Sequence, residues 1–206
     1  MRYSKEHKQE THARIVKKAS VRLREKGAHG IGVADLMKEA GLTHGGFYAH
    51  FDSREALVIE AFAYAMDRCD RALAQDRRAD AAGEAACRPS SMPTSRPVHR
   101  DDPGRGCAVP TLGAEIARES AKTRKAFAAK LEQMIDVMAD QILDVPRKAA
   151  RKQAMAALAT MMGTLVMSRV AGNGEFSDEI LASGREAALA RAEAAKPAAR
   201  RRRGRR

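Results

Sequence analysis

Residues 41–51 read GLTHGGFYAHF, with three glycines, three aromatic rings and two histidines in eleven positions. The segments on either side carry helical periodicity, and glycine in a helix interior is about 1 kcal/mol worse than alanine. Gly45 and Gly46 beside Phe47, Tyr48 and Phe51 therefore need a physical reason. Residues without side chains let a backbone approach another surface closely. Rings on the opposite side can anchor the same segment to a core. A short helix that enters the major groove of DNA has both requirements.

Working outward, Ile15, Val16, Ala19 and Leu23 fall on one face of a helix expected over 7–26. Gly27 and Gly30 then interrupt the pattern, as glycines do after a helix C-terminus. A second short helix fits 33–40 with Leu36, Met37 and Ala40 inward. Gly41 stops it, and Thr43 can cap a third helix through about His50. Asp52 or Ser53 can cap the next, with Glu55 in capping-box spacing from Asp52. That helix is expected to reach about Ala74, with Leu57, Val58, Phe62 and Met66 as its apolar stripe. Two short helices joined by a glycine turn after a longer one spell helix-turn-helix. Thr43, His44 and Gly45 then lie at the end that reaches base edges, with Gly46 giving closeness. Tyr48, His50 and Arg54 are placed for phosphates. Lys5, Lys8, His12 and Arg14 read equally well as backbone contacts or as a solvated face.

The charge agrees with this reading. The chain holds 38 Lys and Arg against 26 Asp and Glu, a net charge of +12. Residues 1–54 hold 11 basic and 6 acidic residues, residues 196–206 hold 7 basic and none acidic, and 55–195 hold 20 of each. A basic head and tail around a neutral body suggest a polyanion at the ends and another role between them. The tail reads either as a salt-sensitive clamp on nucleic acid or as a solubilising terminus. No uncharged apolar run reaches the roughly 18 residues of a membrane-spanning helix. The start, MRYSKEHKQE, lacks the apolar region of a secretory signal. A cytoplasmic protein with no membrane partner is expected. Cys69, Cys87 and Cys107 read as reduced thiols. No histidine pair has the i, i+4 spacing that sets two ligands on one helical face, so neither a metal nor another cofactor is expected.

Residues 10–62 resemble the DNA-binding domain of the TetR family of bacterial repressors. The resemblance rests on Arg14-Ile15-Val16, on EKG at 25–27 and on VADLMKEAGLTHGGFYAHFDSREALVIEAF at 33–62. Gly32 departs from the Thr or Ser usual at the cap of the second helix, and Leu23 stands where an aromatic is commoner. The resemblance implies an all-α homodimer. Residues 1–54 would form a three-helix DNA-binding head, 55–195 a helical ligand-binding and dimerisation domain, and 196–206 a basic tail. It further implies a double-stranded DNA operator, a small-molecule inducer, and a four-helix dimer interface from helices at about 149–171 and 177–194. No enzymatic activity is implied. Its subgroup similar to N-ethylmaleimide-reductase repressors carries a sensing cysteine in a setting like that of Cys107. Arg105 and a helix start would favour the thiolate there, although a small packed residue explains the position as well. A nucleic-acid-binding protein without sequence preference, driven by the tail, is the other reading.

Two stretches resist the pattern. Residues 79–106 hold four of the seven prolines and no apolar periodicity, where relatives would carry a helix. Codon degeneracy over 86–97 permits a more apolar peptide one frame over, so compensating frame errors and a genuine insertion both stay open. The run MAALATMMGTLVMSRVAG at 155–172 suits a helix interface, with Ala156, Ala157, Ala159, Gly163 and Ser168 permitting close approach.

Overall fold

The computed structural model describes residues 5–81, 97–142 and 145–193. Every regular element among them is helical: α1 (Lys5–Lys26), α2 (Val33–Glu39), a 3-10 helix (His44–Ala49), α3 (Arg54–Ala81), α4 (Pro97–Asp101), α5 (Ala108–Ile116), α6 (Ala121–Ala139), α7 (Arg147–Ala171) and α8 (Glu175–Glu193). They form two compact units. One comprises the chain to Arg68 with Asp102–Lys130; the other comprises Cys69–Asp101 with the chain from Leu131.

In the first unit the periodic residues close as expected. Ile15, Val16, Ala19 and Leu23 of α1 are buried with Leu36 and Met37 of α2 and with Leu57, Val58 and Phe62 of α3. Removing the larger of these side chains from water supplies roughly 1.5–3 kcal/mol each. Phe62 stacks on Phe127 of α6, with ring centroids 3.4 Å apart. Ser53 caps α3, its Oγ accepting from the Ala56 amide at 3.1 Å. Arg22 ties α1 to α2 by donating to Glu39 at 2.6 Å and to Glu25 at 2.8 Å. The turn after α1 uses Gly27 at φ +84°, a conformation side chains resist. Glu115 of α5 fastens that turn by accepting from the Ala28 amide at 2.6 Å. Arg24, buried to 3 % exposure, donates to the Gly104 carbonyl from Nε at 3.0 Å. Ser120 and Thr123 donate to the Glu55 carboxylate, the latter at 2.7 Å, and hold it below its ordinary pKa.

In the second unit α7 and α8 form a hairpin whose turn contains Gly172 and Gly174, both at positive φ. Ala150, Ala154, Ala157, Leu158, Met161 and Leu165 bury one face of α7. Ser177 donates to the Ser168 carbonyl at 2.8 Å across the hairpin. Arg100 of α4 bonds Asp178 at 2.7 Å and Ser177 at 3.0 Å, and Arg169 donates to the His99 carbonyl at 2.7 Å. By length and composition α7 could cross a membrane. Eight of its residues are buried and it packs against α8, while Met155, Val166, Met167 and Val170 stay exposed.

Three expectations are corrected. The third element is a six-residue 3-10 helix, not an α-helix, and Thr43 makes no side-chain cap. Two glycines weaken the α form, and the Gly46 amide instead closes a tighter bond to the Thr43 carbonyl at 3.1 Å. The α3 helix runs on to Ala81 because no glycine or proline stands between Arg54 and Gly83. Within 79–106, expected as a loop without periodicity, Pro97–Asp101 form the short helix α4, since proline suits a first helical position. The Cys87 position and the tail at 196–206 lie outside the described residues.

Candidate nucleic-acid interface

The 3-10 helix has one sealed side and one open side. Phe47 is 1 % exposed and Phe51 2 %, and their rings stack with centroids 5.4 Å apart. His12 of α1 stacks on Phe51 at 4.5 Å, while its Nε2 lies 2.6 Å from a Glu60 carboxylate oxygen on α3. Both neighbouring helices thus brace the segment from behind. On the other side Tyr48 is 68 % exposed. His44 meets it edge-on with centroids 6.5 Å apart. Thr43, His44 and Gly45 are exposed and Gly46 is half-buried.

The glycines have no partner inside the protein that demands them. A side chain at Gly45 would meet nothing within 4 Å, and one at Gly46 would meet Met37 and Thr43 at an ordinary 3.7 Å. Neither glycine has a positive φ. The open space lies over the exposed side, where a close-approaching surface would use it.

His50 sits at the C-terminal cap, half-buried, with Nδ1 enclosed and without a hydrogen-bond partner. Burial first, then the positive field of His12 and Lys8, holds its pKa below the ordinary histidine value. Arg54 turns inward in part, since its Nη2 donates to the Ala28 carbonyl and reaches Ile31 at 3.5 Å. The expected residues therefore gather on one segment, but Arg54 also has a structural duty. Lys5, Lys8 and Arg14 are exposed on α1, whereas His12 is engaged by Phe51 and Glu60. Sequence reasoning missed Glu60 as a support, and its i+3 and i+4 neighbours gave no sign of a partner on α1.

Cys107 occupies the N-cap position of α5 without a side-chain capping bond and is 2 % exposed. Arg105 projects to solvent, 81 % exposed, and lies 3.4 Å from Asp102. The conformation described keeps the thiol away from water-borne reagents.

Two family models match the chain. One describes bacterial regulatory proteins of the tetR family and covers residues 15–61. The other describes the C-terminal domain of LmrA/YxaF-like transcriptional regulators and covers 94–182. No curated protein matches. Among solved structures, a TetR-family transcriptional regulator from Agrobacterium tumefaciens is 16 % identical with a TM-score of 0.69, covering 89 % of this chain and 98 % of its own. One from Cytophaga hutchinsonii is 20 % identical with a TM-score of 0.69, covering 92 % and 97 %. The reduced form of E. coli NemR is 19 % identical with a TM-score of 0.67, covering 92 % and 99 %. At these identities the likeness is one of fold.

Proposed function

This chain belongs to the TetR family of bacterial regulatory proteins, and on that premise we propose that it is a homodimeric repressor which a small molecule releases from its operator. It is a DNA-binding transcription regulator and not an enzyme. Regulators of this family act as dimers and bind operators and small-molecule ligands.

The observation that carries the reading is the 3-10 segment, open on one side and sealed by rings on the other. Thr43 and His44 reach base edges, Gly45 and Gly46 let the backbone come close enough for them to do so, and Tyr48 and His50 hold phosphates. Arg54 braces the turn after α1 and offers the rest of its guanidinium to a phosphate. Residues 1–54 act as the head, 55–195 as the ligand-binding and dimerisation body, and 196–206 as an electrostatic clamp. The exposed Met155, Val166, Met167, Val170 and Phe176 of α7 and α8 pack against a second copy. Two heads so joined reach half-sites roughly 34–36 Å apart, or a multiple of that. Inducer in the body favours a state with lower operator affinity, so the two ligands compete through one equilibrium. The protein works in the cytoplasm on the nucleoid.

A finer reading makes Cys107 an electrophile sensor, as in the subgroup similar to N-ethylmaleimide-reductase repressors. Its burial requires a local opening before reaction. Release by electrophiles that persists unchanged in Cys107→Ser would remove that reading.

Selection of bound duplexes from a randomised pool, with and without residues 196–206, tests the main proposal. A recovered near-palindrome is expected from both forms. A steep salt dependence with no sequence preference would favour the tail-driven alternative, and no preference even in dilute buffer would end the operator reading.

A further inference from the structure

The positively charged surface of a DNA-binding head invites the assumption that a histidine at a phosphate is a cation. We infer that His50 meets DNA as a neutral imidazole, donating a hydrogen bond from Nε2. The inference rests on the proposed operator contact and assigns its chemistry.

Three observations point the same way. His50 Nδ1 is enclosed and has no hydrogen-bond partner. A second proton there would create a buried N–H donor with no acceptor, a costly group. The neutral tautomer with its proton on Nε2 leaves an unpaired acceptor at Nδ1 instead, a smaller cost than an unpaired donor on a charged ring, and makes Nε2 the donor. The second observation is the set of neighbours. On α1 the His12 ring lies 6.0 Å from the His50 ring, and Lys8 adds a positive charge. On α3, Glu60 faces His12 at 2.6 Å and compensates that ring rather than His50. On its own segment, Asp52 follows two residues later and His44 lies on the exposed side. The third is that burial also disfavours the charged ring, in the same direction as His12 and Lys8.

A neutral donor contributes geometry without releasing a counterion. Each phosphate neutralised by a cation lowers the slope of log affinity against log salt by about 0.9. Removing His50 should therefore weaken binding without changing that slope. His12 acts as a positioning residue: it stacks behind Phe51 at 4.5 Å and holds the segment that carries His50.

The test uses the full-length dimer and a duplex recovered from the randomised pool. Affinity is measured over a salt series for the wild type, His50→Gln and His50→Leu, with thermal melts to confirm folding. Glutamine carries a neutral N–H near the Nε2 position and should bind within a few-fold of the wild type. Leucine should bind roughly tenfold more weakly, the loss of one good hydrogen bond. Both should keep the wild-type salt slope. In parallel, the His50 ring is followed by NMR against pH in the free dimer and in the complex. It should titrate below the ordinary histidine value in the free dimer, and burial with the enclosed Nδ1 should outweigh the field of the phosphate and keep it from rising above that value in the complex. A salt slope shallower by about one unit in either variant overturns the neutral assignment. So does a His50 pKa raised above the ordinary value in the complex, and both results leave the operator reading standing. A wild-type dimer that binds no duplex overturns both.

Discussion

Gly45 and Gly184 mark two regions that use the same residue for opposite reasons. A side chain on Gly184 of α8 would lie 2.0 Å from Thr164 Oγ1 and 2.6 Å from its Cβ, inside the α7–α8 contact. A side chain on Gly45 would meet nothing within 4 Å. The first glycine is demanded by the protein's own packing. The second is not, and the space it leaves open belongs to whatever approaches from outside. The apolar residues divide similarly. Around residues 43–50 the rings that hold the segment are sealed, and the large side chain turned outward is Tyr48, beside His44. The α7–α8 hairpin instead exposes Val170 at 84 % and Phe176 at 67 %. On the proposed function, one region meets a polar, charged surface and the other a second apolar one.

The contrast breaks most sharply at the hairpin. Met167→Asp combined with Val170→Asp places two charges on the proposed dimer face, where isolated charges are strongly disfavoured. The double variant is expected to sediment as a folded monomer and to lose operator affinity by at least about a hundredfold, since single heads forfeit the linked second site. A stable dimer of unchanged affinity would place the interface elsewhere. Gly184→Ala comes next. Overpacking of a closed contact costs roughly 1–3 kcal/mol, which a thermal melt should register as a clear fall. An unchanged melt would mean that Thr164 yields freely, and the closed half of the comparison would fail.

The two regions differ in how much of each the sequence announces. Leu36, Met37 and Ala40 announced their inward face because helical spacing is a local property. The open side of residues 43–48 was also legible, since glycines without a turn to justify them ask for an external surface. The 3-10 geometry was not, because it differs from an α-helix only by where each amide finds its carbonyl. The bracing was hidden for another reason. Arg24 finds Gly104 across 80 residues, Ala28 finds Glu115 across 87, and His12 finds Glu60 across 48. Such partners are chosen by tertiary packing, and no spacing rule reaches that far. The short helix Pro97–Asp101 was hidden for a simpler reason: five residues are too few to show a period, and proline, common in loops, also suits a helix start.

Gly45→Ala sharpens the open half. Alanine is the better helix former and meets no neighbour, so the melt should stay within error or rise by a few tenths of a kcal/mol to about 1 kcal/mol. Duplex affinity should fall about tenfold, as one methyl forces the backbone back from the groove. The pairing of an undisturbed fold with weakened binding separates this glycine from Gly184. Affinity that rises with stability would show that the open space serves no approaching duplex.

The smallest effect concerns acid. His50 has a lowered pKa in the fold, whereas in an unfolded chain it titrates near 6.5. Above about 6.5 neither state carries the proton and its contribution to stability is fully present. As the pH falls below that value, the unfolded chain takes up a proton that the folded ring refuses. Stability is then lost progressively until the pH passes the lower folded value. The loss is modest, because the ring is only half-buried and water screens part of the field. His50→Gln cannot take up the proton in either state. Its melting temperature should therefore decline less than that of the wild type between about pH 7 and pH 5. Parallel declines would mean that the ring accepts its second proton in the fold without penalty. The enclosed Nδ1 would then have found an acceptor, and the account of a charge-averse segment behind the open glycines would lose its electrostatic support.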